Sequence, residues 1–211
     1  MPFILELFSG TGSVGKNAKK RGWKVLSVDS NEKTNADIIV DILKWDYKSE
    51  NLNPDYIWAS PPCGTFTLMA LTNNKKSTAP PRVRDATTMK PIKPAGVLGD
   101  KILRKTIEII NYYRRRNPKL KFVMENPRGS MYRSPLLKKL KPYTEATTLY
   151  CLYKDKRRKP TDFFNNFNLE LQKGNCRAEL GVVNVPLCER YKIPQKLLDD
   201  IFTQITRRKQ S

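Results

Sequence analysis

The sequence predicts an open α/β fold, a mostly parallel sheet with helices on both faces. Three observations carry this. Short apolar runs alternate with helical segments over the first 60 residues, a glycine-rich turn sits between the first run and the first helix, and the later runs end at Asp or Pro-Pro turns. Parallel strands that end in this way align their carboxyl ends along one edge, where sheets of this kind bind ligands.

The elements follow in order. Phe3 to Phe8 is a short apolar strand, and Gly10-x-Gly12-x-x-Gly15 is the turn after it. Ser13 to Arg21 forms a helix, Lys24 to Val28 a second strand ending at Asp29, and Ala36 to Val40 a third ending at Asp41. Tyr56 to Ala59 is a fourth, closed by Ser60-Pro61-Pro62-Cys63. Thr65 to Gly99 is rich in Lys, Thr and Pro and reads as a long mobile loop, too polar for the core. Asp100 to Arg116 carries Ile102, Leu103, Ile107 and Ile110 at helical spacing. Leu120 to Met124 is a fifth strand, ending in Glu125-Asn126-Pro127. Pro135 to Leu140 is a short helix, Ala146 to Leu152 and Thr161 to Phe164 are further strands, and Pro194 to Ile205 is a closing helix. Without repeats or low-complexity tracts, residues 1–211 read as a single domain.

Forty Lys and Arg against 20 Asp and Glu give a formal charge of +20. Such an excess points to a polyanionic partner, because neutralised phosphates release condensed counterions. No apolar run approaches the ~20 residues that span a bilayer, and the start lacks a signal-like segment, so an intracellular site of action is expected. The chain has no His and four Cys, none closely paired. That argues against a zinc site, a disulfide framework, and triads or dyads built on imidazole. Cys151, Cys176 and Cys188 read as packing residues. Chemistry here falls to carboxylates, a thiol, Lys, Arg, Tyr or a cofactor.

The glycine turn, opening a helix, is where backbone N–H groups meet a ligand. Asp29, at the end of the second strand, is placed to accept from ribose hydroxyls, or to act as a turn residue. Asp41 reads equally as a contact or a cap. Glu6 is more discriminating. A carboxylate inside the first strand needs a partner, and a cationic ligand supplies one where a pyrophosphate would be repelled. The ammonium of S-adenosylmethionine fits, which favours a methyl donor over a nicotinamide dinucleotide.

Cys63 and Glu125, each following a strand, should share one crevice. Leu5-Glu6-Leu7-Phe8-Ser9-Gly10-Thr11-Gly12, Pro61-Pro62-Cys63, Glu125-Asn126 and Arg157-Arg158-Lys159-Pro160-Thr161 together resemble the motifs of the cytosine-5 DNA methyltransferase family, in order and over about residues 3–165. The layout is most similar to compact phage and large-virus versions. The resemblance implies a Rossmann-like, seven-stranded S-adenosylmethionine-dependent methyltransferase fold and DNA as partner. It implies Cys63 as nucleophile at carbon 6 of cytosine, Glu125 at ring nitrogen 3, and Arg157 or, preferably, Arg158 at the carbonyl oxygen. It gives Glu6, Phe8, Gly10, Gly12, Asp29, Asp41 and Pro61 to the cofactor, and no metal.

The sequence departs from that pattern at Gly64 after Cys63, at Pro127 after Glu-Asn, and in a recognition region near 160–193 much reduced from the family's inserted domain. A protein partner for target recognition is one way to supply what is missing. RNA as substrate, amino-group methylation (which shares Ser-Pro-Pro but wants an aromatic at Cys63), and a catalytically silent nucleic-acid-binding protein on the same scaffold stay open.

Overall fold

The computed structural model describes residues 1–71, 82–177, 179 and 185–207, with the side chains of residues 69, 187 and 188 outside it. Seven strands form one sheet: β1 (Phe3–Leu7), β2 (Lys24–Asp29), β3 (Ile38–Ile39), β4 (Tyr56–Ala59), β5 (Lys121–Pro127), β6 (Thr144–Leu149) and β7 (Pro160–Asn165). Their order is β3-β2-β1-β4-β5-β7-β6. The first five run parallel, and β7 lies antiparallel to both β5 and β6. Among the described residues four α-helices accompany them: α1 (Ser13–Lys20), α2 (Pro94–Arg116), α3 (Leu187–Tyr191) and α4 (Gln195–Thr206).

Strand alternation sorts the core into two layers. Leu5, Leu7, Ile57, Ala59, Phe122 and Met124 pack with α2 residues such as Leu103, Ile107 and Ile110. Ile4, Trp58, Val123 and Phe163 point the other way, onto Val14 and Ala18 of α1 and Leu197, Leu198, Ile201 and Phe202 of α4. Glu6 and Glu125 share the parity of Ile4 and Val123, so both carboxylates are delivered to the α1/α4 face.

Two expectations are corrected here. The flanks of the Thr65–Gly99 stretch belong to the core: Phe66, Ala70, Val83 and Met89 are buried, and α2 begins at Pro94 rather than Asp100. Their polar neighbours mask them in sequence, because the element that fixes them is a buried Arg84 rather than an apolar period. Residues 72–81 lie outside the described residues. Second, Cys151 and Cys176 form a disulfide across a sequence separation of 25. The chain after β7 turns back along β6, where Thr148 Oγ1 donates to the Gln172 carbonyl and the Gln172 amide donates to Tyr153 Oη, and this brings the two cysteines together. The Cys188 side chain lies outside the described residues.

No helix among the described residues is long and apolar enough to cross a membrane.

Candidate active site

β1 ends at Leu7, and the chain then crosses its edge through Phe8 and Gly10, both at positive φ. Gly12, at φ 67°, caps α1. The turn is held from β2, since Asp29 Oδ2 accepts from the Gly10 amide at 2.8 Å. Gly15, in the first turn of α1, lies against Glu6, where a Cβ would come within 2.5 Å of Glu6 Oε2. The glycine spacing thus makes room for a carboxylate.

Glu6 is 2% exposed, and its Oε2 has no hydrogen-bond partner among the described residues. Burial pushes its carboxyl up to about 8, against the pull of the Gly15 amide, and Asp37 adds to the rise. A buried acid with an orphaned oxygen beside a ligand cleft is a receptor for a cation. The ammonium of S-adenosylmethionine meets that demand, so the residues present fit this cofactor.

The second half of the site comes from the neighbouring strand ends. Ser60, after β4, accepts from Trp58 Nε1 at 3.0 Å and donates its amide to the Leu7 carbonyl at 3.2 Å. Asn126 Nδ2 donates to the Pro61 carbonyl at 3.0 Å, tying the Pro61–Cys63 turn to the end of β5. Beyond Cys63, the Phe66 carbonyl accepts from the Ser130 amide at 2.7 Å and from Ser130 Oγ at 2.9 Å. The turn that carries the thiol is therefore fixed on both sides by the segment that carries Glu125.

One cleft is lined by Glu6, Phe8 and Gly10 as well as by Cys63, Glu125 and Lys159, with Pro61 in its wall and a volume of about 100 Å³. A larger groove of about 810 Å³ shares Thr11, Ser13 and Ile193 with it and carries Lys16, Lys19 and Lys20 from α1. The Cys63 thiol is half-buried. Burial pushes it up, the Glu125 carboxylate pushes the same way, and the Lys159 ammonium opposes both. Lys159 Nζ lies 3.9 Å from Glu125 Oε1 and donates to the Arg190 carbonyl at 3.2 Å.

Not every expected residue reaches the cleft. Arg158 is exposed and donates to Asn175 Oδ1 at 2.9 Å. The chain leading into β7 alternates, so Arg157 and Lys159 turn inward and Arg158 outward. Arg157 is spent on structure, donating to both Asp155 oxygens and to the carbonyls of Glu189 and Lys192. Gly12 serves as the helix cap. Asp29 and Asp41 do not line the cleft either: besides Gly10, Asp29 accepts from the Asn31 amide, and Asp41 accepts from the Leu43 amide. Each carboxylate oxygen so engaged keeps a further lone pair.

Three residues in or around the cleft were not singled out in the sequence. Lys159 sat inside a basic run, and its signal was the i, i+2 spacing from Arg157 just ahead of a strand. Tyr150, buried beside Glu125, looked like one strand residue among several. Arg84 lay unremarked in the polar Thr65–Gly99 stretch. It is 1% exposed, pairs with Asp100 at 2.6 Å, and donates to the carbonyls of Thr65, Met89 and Gly96.

No protein-family profile matches the chain. A Frog virus 3 (isolate Goorha) protein named "Probable DNA (cytosine-5)-methyltransferase" is 35% identical over 157 residues, covering 72% of this chain. The match spans 64% of that relative, just under two thirds of its length. Among solved structures, the Entamoeba histolytica methyltransferase EhMeth superposes with a TM-score of 0.53 at 15% identity, covering 84% of this chain and 57% of the other. The Schizosaccharomyces pombe Dnmt2 methyltransferase gives 0.52 at 14%, covering 82% and 53%. At such identities the likeness is one of fold, and the fold is the Rossmann-like methyltransferase sheet.

Proposed function

We propose, from this chain's homology to the cytosine-5 DNA methyltransferase family, that it transfers a methyl group from S-adenosylmethionine to carbon 5 of cytosine in DNA, with Cys63 as nucleophile. The observation that carries the reading is the shared cleft, in which a thiol, a carboxyl and an ammonium (Cys63, Glu125, Lys159) face the same space as an orphaned acid, Glu6.

Glu6 would hold the cofactor's ammonium, Phe8 and Pro61 would wall it in, and the braced glycine turn would face it. Asp29 and Asp41 would reach the ribose and adenine through the lone pairs their turns leave over. When bound, S-adenosylmethionine supplies an electrophilic methyl group. The protein's own task is to make carbon 5 nucleophilic. Addition of the Cys63 sulfur to carbon 6 breaks the 5,6 double bond and shifts electron density toward carbon 5. Glu125 holds a proton at ring nitrogen 3, where negative charge develops. Lys159, rather than the outward-facing Arg158, is the cation available to the base's carbonyl oxygen. Once the carbon-5 proton leaves, the carbon–sulfur bond breaks and the thiolate returns.

The electrostatics support the same sequence of events. In the resting cleft the Glu125 carboxylate opposes thiolate formation. A Glu125 that carries a proton ceases to do so and leaves Lys159 unopposed, so engaging the base and activating the sulfur are coupled. The charge of +20 supports a polyphosphate partner. A duplex target would have to flip its cytosine into the cleft. With a reduced recognition region, a protein partner for target selection remains part of the proposal.

The test is trapping with an oligonucleotide containing 5-fluorocytosine in the presence of S-adenosylmethionine. Fluorine cannot leave as a proton does, so the enzyme stalls as a covalent adduct visible by mass. An adduct formed by the native protein and absent from Cys63→Ser is the expected result. No adduct across varied sequences, with cofactor binding demonstrated by calorimetry, would sink it in favour of a silent binding protein.

A further inference from the structure

We propose that Tyr150 is a positioning residue for Glu125, holding one carboxylate oxygen so that the other can meet the base. The inference rests on the reading of the cleft just given. Tyr150 Oη donates to Glu125 Oε1 at 3.3 Å, and its side chain has no exposure to solvent. Burial drives the phenol far above the ordinary tyrosine range, with the Glu125 charge adding to the effect. The hydroxyl is therefore a permanent donor at any working pH.

Two cations hold the ring in place. Lys159 Nζ lies 4.9 Å and the Arg157 guanidinium 5.6 Å from its centroid. The Lys159 ammonium is also the group 3.9 Å from Glu125 Oε1, so phenol and ammonium converge on the same carboxylate oxygen. The tyrosine comes from the turn Tyr150–Tyr153 after β6, two strands away from the one that carries Glu125. Its hydroxyl reaches across β7 to the carboxylate. A carboxylate gripped on one oxygen has its second oxygen oriented before substrate arrives, which removes reorganisation from the reacting step.

The experiment is a double-mutant cycle on adduct formation with 5-fluorocytosine DNA, using Tyr150→Phe, Glu125→Gln and the pair. Tyr150→Phe should stay folded, its melting temperature lowered by no more than about 5 °C, and keep its dissociation constant for S-adenosylmethionine while forming adduct about tenfold more slowly, the scale of a lost hydrogen bond to a charged group. In the Glu125→Gln background the same substitution should change the rate by less than about twofold. Equal fold-losses in both backgrounds, an unchanged rate, or a Phe variant that fails to fold would overturn the positioning role and leave a packing tyrosine. If the native protein forms no adduct, the function proposed above fails and this inference falls with it. If the native protein traps DNA but the cycle is additive, only this inference fails.

Discussion

Asn126 binds the Pro61 carbonyl through its side-chain amide at 3.0 Å, so the strand end that presents Glu125 also grips the turn that presents Cys63. Acid and thiol are thus linked through a residue that is itself buried, at 1% exposure. Asn126→Ala should slow adduct formation ten- to a hundredfold. The lost buried bond should cost about 1–3 kcal/mol of stability. Trapping rates beside urea denaturation check both, and a variant that traps at the native rate would show that the turn holds itself.

The acid in β1 gives a pH signature. The folded Glu6 carboxyl sits at about 8 against an ordinary 4.5. Between those values the native state keeps a proton that the unfolded chain has released, so this group's contribution to stability falls as pH rises through that window. Glu6→Gln should flatten the decline between pH 5.5 and 8.5 in urea denaturation. It should also weaken S-adenosylmethionine binding about tenfold or more, since the carboxyl can release its proton to pair with the ammonium and an amide cannot.

Opposed charges around Cys63 predict shifts of opposite sign. The thiol is raised by burial and by Glu125 and lowered by Lys159. Lys159→Met should move the midpoint of iodoacetamide alkylation to higher pH, and Glu125→Gln should move it to lower pH. The rate of Cys63 modification against pH, followed by mass spectrometry, reads both. Shifts in one direction for both variants would mean that the cleft rearranges.

Arg84 clasps the segment that follows the Cys63 turn. With Asp100 beside it and Phe66 stacked 4.0 Å from its guanidinium, removal leaves a carboxylate and three carbonyls unmatched. Arg84→Leu should destabilise the protein by about 3–5 kcal/mol, and Arg84→Leu with Asp100→Leu by less than the sum of the two single changes. Chemical denaturation of the three variants decides it.

The sequence was most readable where local and global signals agreed. The glycine turn, the apolar runs Phe3–Leu7 and Tyr56–Ala59, and the Pro-Pro-Cys and Glu-Asn turns carry their roles in their neighbours. The failures share a cause: each depends on a contact between residues distant in the chain. Arg84 becomes core only by meeting Asp100 and the Thr65 and Gly96 carbonyls. The inward turn of Lys159 rather than Arg158 is set by the register of β7 against β5. Cys151 meets Cys176 only because the chain doubles back beside β6. No window of sequence holds these relationships, whereas Glu6 was legible because a charge amid apolar strand residues is anomalous on its own.

The reversal of β7 has a consequence for how the cleft is closed. A parallel strand offers its end to the reactive edge, but a reversed one offers its beginning, which is how Lys159 arrives beside Glu125. The polypeptide then leaves that edge, and Asn165 emerges at the opposite side of the sheet. Residues 166–177 run back along β6, stapled by Cys151–Cys176, and Glu189–Ile193 meet the rim again, where Arg157 donates to the Glu189 and Lys192 carbonyls. The return path thus closes on the cleft it left, since Lys159, just ahead of β7, donates to the Arg190 carbonyl.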